Sequence, residues 1–240
     1  MLVIVIIAII LIIVFLKLKI KKMIYGHLNL FTGELKVGKS AISLSKAKGK
    51  YNSVLLKWKI KKFLVTKILH KKYDIEKPYF YSNIPVGFDY VPFTLEHLEK
   101  KKRLHYGSVV WIDEASLLAD NMSSFSQTGK SKDEVSRFNA IVSDFVKLFC
   151  HETYNGYIYY NTQALSDMHY AFRRVSSRYY YLHSCIKWLP FIVVYRVSEL
   201  YYSEDNNTIN INKNGDILEN TKLCFMSKRI YRIISIHAYS

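Results

Sequence analysis

Gly33-Glu34-Leu35-Lys36-Val37-Gly38-Lys39-Ser40 fits the pattern GxxxxGK[ST], and each fixed position has a task in holding a polyphosphate. Glycines let main-chain N–H groups curl around phosphate oxygens, the Lys39 ammonium reaches the β and γ phosphates, and the Ser40 hydroxyl is a hard oxygen ligand for magnesium. A helix opening near Gly38 adds the positive end of its dipole to the same anion, and brings Ala41 into the nucleotide-binding run. Some 70 residues further on, Ser108-Val109-Val110-Trp111-Ile112-Asp113-Glu114 is an apolar run that ends in two carboxylates. A buried parallel strand delivers acids to its C-terminal edge in this way. Asp113 would then hold magnesium, directly or through water, and Glu114 would polarise an attacking water. Each motif has a plainer reading, a glycine-containing turn for the first and an acidic helix start for the second. Their occurrence together, in this order, points to ATP hydrolysis with Mg2+.

Two further groups belong with these. The strand expected over Gly156–Tyr160 ends in Asn161-Thr162-Gln163; Gln163 or Thr162 would orient water beside the γ-phosphate, unless the pair only caps the strand. Arg173 and Arg174, with Arg178 close by, are candidates for the guanidinium that stabilises charge on a transferring phosphoryl group, supplied in ring-shaped motors by the neighbouring subunit. Ordinary surface arginines are the alternative.

Positioning these residues calls for an α/β fold with a mainly parallel central sheet flanked by helices. Leu28–Thr32 reads as the strand entering the phosphate loop. The helix after it should end near Gly49, and Tyr51–Tyr73, with apolar residues interspersed among seven lysines, reads as a separate amphipathic helix. Pro78–Pro85 contains a short strand, Phe88–Phe93 a loop or edge strand, and Leu95–Arg103 a helical stretch. Ser116–Gly129 is a polar loop. Ser131 followed by Glu134 is a capping-box signature for a helix over about 132–151. Tyr179–Cys185, Pro190–Val197 and Leu200–Tyr202 read as buried strands, and Asn207–Asp216 with its Asn-Gly pair as a C-terminal β-hairpin. Leu223–Ser240 closes the domain as a strand or short helix.

The 240 residues carry a formal net charge of +16. Between Lys17 and Arg103 there are 21 Lys/Arg against 6 Asp/Glu, so 15 of the excess charges lie there. A basic surface of that kind suits nucleic acid or anionic lipid headgroups, with a merely solubilising face as the alternative. Three cysteines without CxxC spacing indicate neither a disulfide framework nor a zinc knuckle, and His183 and Cys185 read as core residues. Leu2–Leu16 is apolar throughout and is followed by Lys17, Lys19, Lys21 and Lys22. Residues 1–22 are therefore expected to be an N-terminal transmembrane anchor, with residues 23–240 the ATPase domain and 190–240 its β-rich extension. Positive charge on the C-terminal flank alone puts the ATPase domain in the cytoplasm, single-pass at a cytoplasmic membrane.

With these pieces placed, the chain resembles the zonula occludens toxin-like family, the assembly ATPases of filamentous phages, within the FtsK/HerA-type DNA-pumping P-loop NTPases. The resemblance spans about Ile24 to Val193. It rests on the phosphate loop, on Ser82-Asn83-Ile84-Pro85 after a tyrosine strand, on Asp113-Glu114, and on Thr162-Gln163 followed by arginine. It implies Lys39 and Ser40 on phosphate and magnesium, Asp113 and Glu114 as the metal and water-activating acids, Gln163 as sensor, and Arg173 or Arg174 acting in trans. It further implies a homo-oligomeric ring, DNA as the partner, coat or assembly proteins nearby, and the host inner membrane as location. Here the loop is poorer in glycine and proline than is usual for the family, and the apolar span precedes the ATPase domain, so a periplasmic C-terminal domain is not implied. The function expected is ATP-driven DNA translocation or extrusion in virion assembly. Two alternatives stand beside it, a capsid genome-packaging ATPase and a non-enzymatic membrane scaffold for DNA or anionic lipid.

Overall fold

Alternation within short apolar strands decides the architecture. Along Val109–Ile112, Val109 and Trp111 belong to one buried cluster and Val110 and Ile112 to the other. In Tyr157–Asn161, Ile158 and Tyr160 join the second cluster while Tyr159 joins the first. Strands buried on both faces need a helical layer on each, which is the signature of a parallel sheet.

The computed structural model describes residues 26–33, 37–115, 132–153, 155–163, 172, 176–189, 192–203, 208–210 and 221–227. The strands are β1 (Leu28–Gly33), β2 (Phe80–Ser82), β3 (Val91–Pro92), β4 (Val109–Ile112), β5 (Tyr157–Asn161), β6 (Arg178–Leu189), β7 (Ile192–Ser203), β8 (Thr208–Asn210) and β9 (Thr221–Ser227). Helices are α1 (Lys39–Phe63), α2 (Leu95–Leu98) and α3 (Lys132–Glu152). The sheet order is β3-β2-β4-β5-β1-β6-β7-β8, with β9 also on β7. Every pair from β3 to β6 is parallel, and β7 turns the sheet antiparallel. The mainly parallel α/β sheet expected from the sequence is thus present, with an antiparallel margin.

Val142, Phe145, Val146 and Phe149 of α3 cover one face through Leu30, Val110, Ile112 and Tyr160. Ala41, Ile42, Leu44 and Ala47 of α1 cover the other through Phe31, Trp111, Tyr159 and Tyr180. At the β3 end Phe93 stacks on His97, whose Nδ1 accepts the Thr94 N–H, so that a histidine completes the capping box of α2.

Several expectations change. Gly49 does not end the first helix: α1 runs through it for 25 residues, merges with the basic amphipathic stretch, and closes in a wide π turn over Leu64–Ile68. One glycine costs a helix only about 1 kcal/mol, too little to stop one already docked on the sheet. The stretch from Leu95 is helical for four residues only. Among the described residues, β8 and β9 both pair with β7, against Tyr201–Ser203 and Ile192–Ser198 respectively, while the Asn-Gly turn of the expected C-terminal hairpin lies outside the described residues. The anchor expected over residues 1–22 lies outside the described residues, and among the described residues no helix is long and apolar enough to cross a membrane.

Candidate functional site

β1 delivers the chain to the phosphate loop at Gly33, whose φ is 146°. A Cβ there would meet the Leu182 carbonyl oxygen of β6 at 2.3 Å, so only glycine lets β1 run that close to its neighbour. Glu34, Leu35 and Lys36 lie outside the described residues, and Val37 is buried in the α1-side cluster. Gly38 caps α1 with φ 80° and contributes no side-chain cap, so the first N–H groups of the helix face the loop with no capping side chain from that residue. A Cβ on Gly38 would also meet the Tyr195 hydroxyl at 3.0 Å. Lys39 is buried and donates to the Gly33 carbonyl at 3.0 Å, closing the loop on itself. Burial holds its ammonium below the ordinary lysine range, and the charges of Glu114 and Asp113 oppose that shift. Ala41 is buried within the first turn of the helix.

The acids reach this point because β4 lies two strands from β1, with β5 between them. Ile112 pairs with Tyr160, and Phe31 with Asn161. One residue beyond the first pair, alternation aims Asp113 and Asn161 at the face on which α1 begins. The Asn161 amide donates to Asp113 Oδ1 at 2.6 Å, and its Oδ1 accepts the Glu114 N–H at 2.6 Å. From the other side Asn83 Nδ2 donates to the Asp113 carbonyl, and the Asp113 N–H donates to Asn83 Oδ1, both at 2.8 Å. The main chain at the strand end is therefore clamped by two asparagines.

Asp113 is hydrogen-bonded to Asn161, and the Ser40 hydroxyl favours its ionised form. Its carboxyl is pushed above the usual carboxylate range chiefly by burial and also by the Glu114 charge, while the Ser40 hydroxyl and the Asn161 amide pull it back. Glu114 has φ 47°, a left-handed conformation that a glutamate adopts only when its surroundings impose it. Its Oε1 accepts from the Thr162 hydroxyl at 3.3 Å and from the Gln163 N–H at 3.2 Å. Gln163 thus meets Glu114 through its main chain, and the residue is exposed.

Behind the acids, Ser43 knits three elements. Its hydroxyl accepts from Trp111 Nε1 at 2.9 Å and from Asn161 Nδ2 at 3.2 Å, and donates to the Ser40 carbonyl at 3.2 Å. One donor and two acceptor positions are all in use, the full capacity of a serine hydroxyl.

The structure brings Gly38, Lys39, Ser40, Asp113, Glu114, Thr162 and the Gln163 main chain to one edge of the sheet. Arg173 and Arg174 lie outside the described residues; Phe172 and Ser176, on either side of them, are both held by the Tyr160 hydroxyl. Arg178 pairs with Asn29 at the start of β1, the edge of the sheet away from the phosphate loop. Asn161, Asn83 and Ser43 are the residues sequence reasoning did not assign. Asn161 was detectable as the third of Tyr157, Tyr159 and Asn161, which alternate onto one face.

Among the described residues no group of three or more His, Cys, Asp or Glu gathers as a metal cluster. A magnesium ion held mostly by phosphate and water needs no such cluster. Ser40 at the start of α1, and Asp113, tied to α1 through Asn161 and Ser43, supply the hydroxyl and carboxylate oxygens that a hard cation takes, so the donor set fits. The arrangement can hold a polyphosphate at a helix N-terminus, a hard cation at Ser40 and Asp113, and a water against Glu114.

No protein-family model and no curated protein matches the chain. Among solved structures it is similar to the N-terminal domain of zonular occludens toxin from Neisseria meningitidis, at 13% identity and a TM-score of 0.43, with 88% of this chain and 99% of that chain covered. It is also similar to the genome packaging NTPase B204 from Sulfolobus turreted icosahedral virus 2 in complex with ATP-gammaS, at 13% identity and a TM-score of 0.37, with 80% of this chain and 98% of that chain covered.

Proposed function

We propose that this chain is a P-loop ATPase that couples hydrolysis to DNA movement at a membrane during virion assembly. The observation that supports the hydrolase reading is the bridge made by Asn161, whose amide donates both to Asp113 and to Ser43 of α1, because it ties together two motifs some 70 residues apart. The start of α1 and Lys39 bind the triphosphate. Magnesium, when bound, neutralises charge on the β and γ phosphate oxygens, and Ser40 and Asp113 are the residues that hold it. Glu114 takes a proton from water as the water oxygen attacks the γ phosphorus; the bond to the β–γ bridging oxygen breaks and ADP leaves. Asn161, Thr162 and the Gln163 main chain keep Glu114 in position for that transfer. Arg173 or Arg174 of a neighbouring copy in a ring completes the site.

The DNA and membrane parts of the reading rest on sequence: the basic stretch between Lys17 and Arg103, the apolar run Leu2–Leu16, and the order of motifs shared with the phage assembly ATPases. A cytoplasmic ATPase domain tethered by residues 1–22 is fixed to the membrane through which DNA would be pushed, with coat or assembly proteins as further partners.

Phosphate release by the full chain, with ATP and magnesium and with or without DNA, is the test. Lys39→Ala abolishes turnover while leaving the circular dichroism spectrum intact; unchanged turnover in that variant overturns the enzyme reading and leaves a scaffold. Turnover that DNA does not stimulate overturns the motor reading and keeps the hydrolase.

A further inference from the structure

From Lys39 to Tyr73 the chain carries 11 lysines and no carboxylate. The buried residues of α1 end at Ala47. Beyond that point the helix carries Leu56, Ile60 and Phe63, and the closing turn carries Leu64 and Ile68 with Leu69 directly after it, each 44–59% exposed. Leu56, Ile60, Phe63 and Leu64 recur at four- and three-residue spacing and so form one outward stripe. Lys57 and Lys59 flank it and Lys67 follows in the closing turn, while Lys62 turns back over the Trp58 ring, 4.9 Å from its centre. The opposite side of the helix faces the domain, where Trp58 donates to the Ile75 carbonyl at 3.0 Å and packs edge-on against Tyr73.

The stripe also has a definite place in the molecule. α1 starts at the C-terminal end of β1 and runs back along the sheet for about 37 Å, whereas β1 is only about 20 Å long. By Lys50, whose ammonium sits 3.9 Å from the centre of the Tyr157 ring, the helix has already reached the N-terminal edge of β5. A cleft of about 310 Å³ between this part of α1 and that edge is lined by Lys50, Lys57, Lys61, Trp58 and Gly107 among others, with no carboxylate. The exposed apolar half of α1 therefore overhangs the edge at which the chain enters β1, opposite the phosphate loop.

We infer that the projecting half of α1, from Leu56 to Leu69, lies on the surface of an anionic lipid bilayer. An apolar stripe bordered by lysines is what an interfacial helix needs, since the stripe enters the acyl boundary while the ammonium groups meet headgroup phosphates. Nucleic acid would satisfy the lysines and leave the aliphatic stripe in water. A second copy meeting face to face would bring two acid-free lysine arrays together. The inference does not rest on ATP hydrolysis, and turnover serves as a control for folding.

The test uses the full chain reconstituted into vesicles of phosphatidylcholine alone or with 30% phosphatidylserine, so that whatever else binds the bilayer is held constant. Phe63→Trp adds a reporter on the stripe, and its emission is read as the difference from wild type, with brominated lipids as quenchers. The expected result is quenching of at least twofold in the phosphatidylserine vesicles. That quenching is lost in 0.5 M NaCl and in a variant with Lys57, Lys59 and Lys67 all changed to Gln. Equal, weak quenching in both vesicle types overturns the inference, as does protection of the reporter by DNA but not by lipid. A reporter buried through self-association without vesicles, seen as a doubled mass in light scattering, overturns it in favour of a second copy.

Discussion

Replacing Asn161 with alanine tests the site at its most connected residue. The side chain donates to Asp113 Oδ1 at 2.6 Å and to Ser43 Oγ at 3.2 Å, and accepts the Glu114 N–H at 2.6 Å. The bond to ionised Asp113 is charge-assisted, a class that contributes about 1.5–3 kcal/mol, and solvent access to this half-buried carboxylate favours the low end. Without that bond burial wins further over ionisation, and the carboxyl, already above the ordinary carboxylate range, rises again. About 1.4 kcal/mol corresponds to one pH unit, so the acid limb of the pH–rate profile for magnesium-dependent phosphate release moves up by about one unit. Loss of the acceptor for Glu114 also lowers stability by roughly 1–2 kcal/mol, or a Tm lower by about 2–8 °C for a chain of this size. Steady-state phosphate release between pH 5.5 and 9, with melting curves on the same samples, reads both. A Tm that falls while the acid limb stays in place would refute the electrostatic role and leave Asn161 a packing residue.

Asp113→Asn raises stability in the absence of nucleotide and magnesium. A carboxyl that titrates above its ordinary value of 3.8 in the folded state costs stability wherever it is ionised, and the cost fades as pH falls toward that value. The variant therefore melts higher than wild type at pH 7.5, by a margin that shrinks toward pH 4; a margin constant with pH would contradict it. Ser43→Ala leaves Trp111 Nε1 buried without its acceptor and lowers unfolding free energy by about 1–3 kcal/mol in urea melts. Gly49→Ala raises it by up to about 1 kcal/mol, because the glycine sits exposed within α1 and a Cβ meets nothing within 4 Å. A destabilised Gly49→Ala would show that the helix is interrupted there in solution.

How far the sequence reveals this site depends on whether a feature is local. The phosphate loop, the acids at the end of β4 and the polar end of β5 were each legible, because the apolar run, the turn glycines and the strand-end polar residues lie within a few positions of one another. What joins them is the insertion of β5 between β1 and β4, a non-local pairing that no window of sequence encodes. That insertion makes Asn161, rather than the exposed Gln163, the neighbour of Asp113: Phe31 pairs with Asn161 and Ile112 with Tyr160, so the strand-end residue reaches the acids and the one two positions later has left the sheet. Ser43 escaped for the same reason, since a serine one turn into a helix looks neutral until the strand order puts Trp111 and Asn161 beneath it. The misread helix boundary has a different origin. Gly49 and the lysines around it suggested two helices, but the first half of α1 is already fixed by Ala41, Ile42, Leu44 and Ala47 against the sheet. Extension beyond a docked segment needs no new nucleation, so the helix propagates past the glycine and carries its apolar stripe out beyond the edge of the sheet.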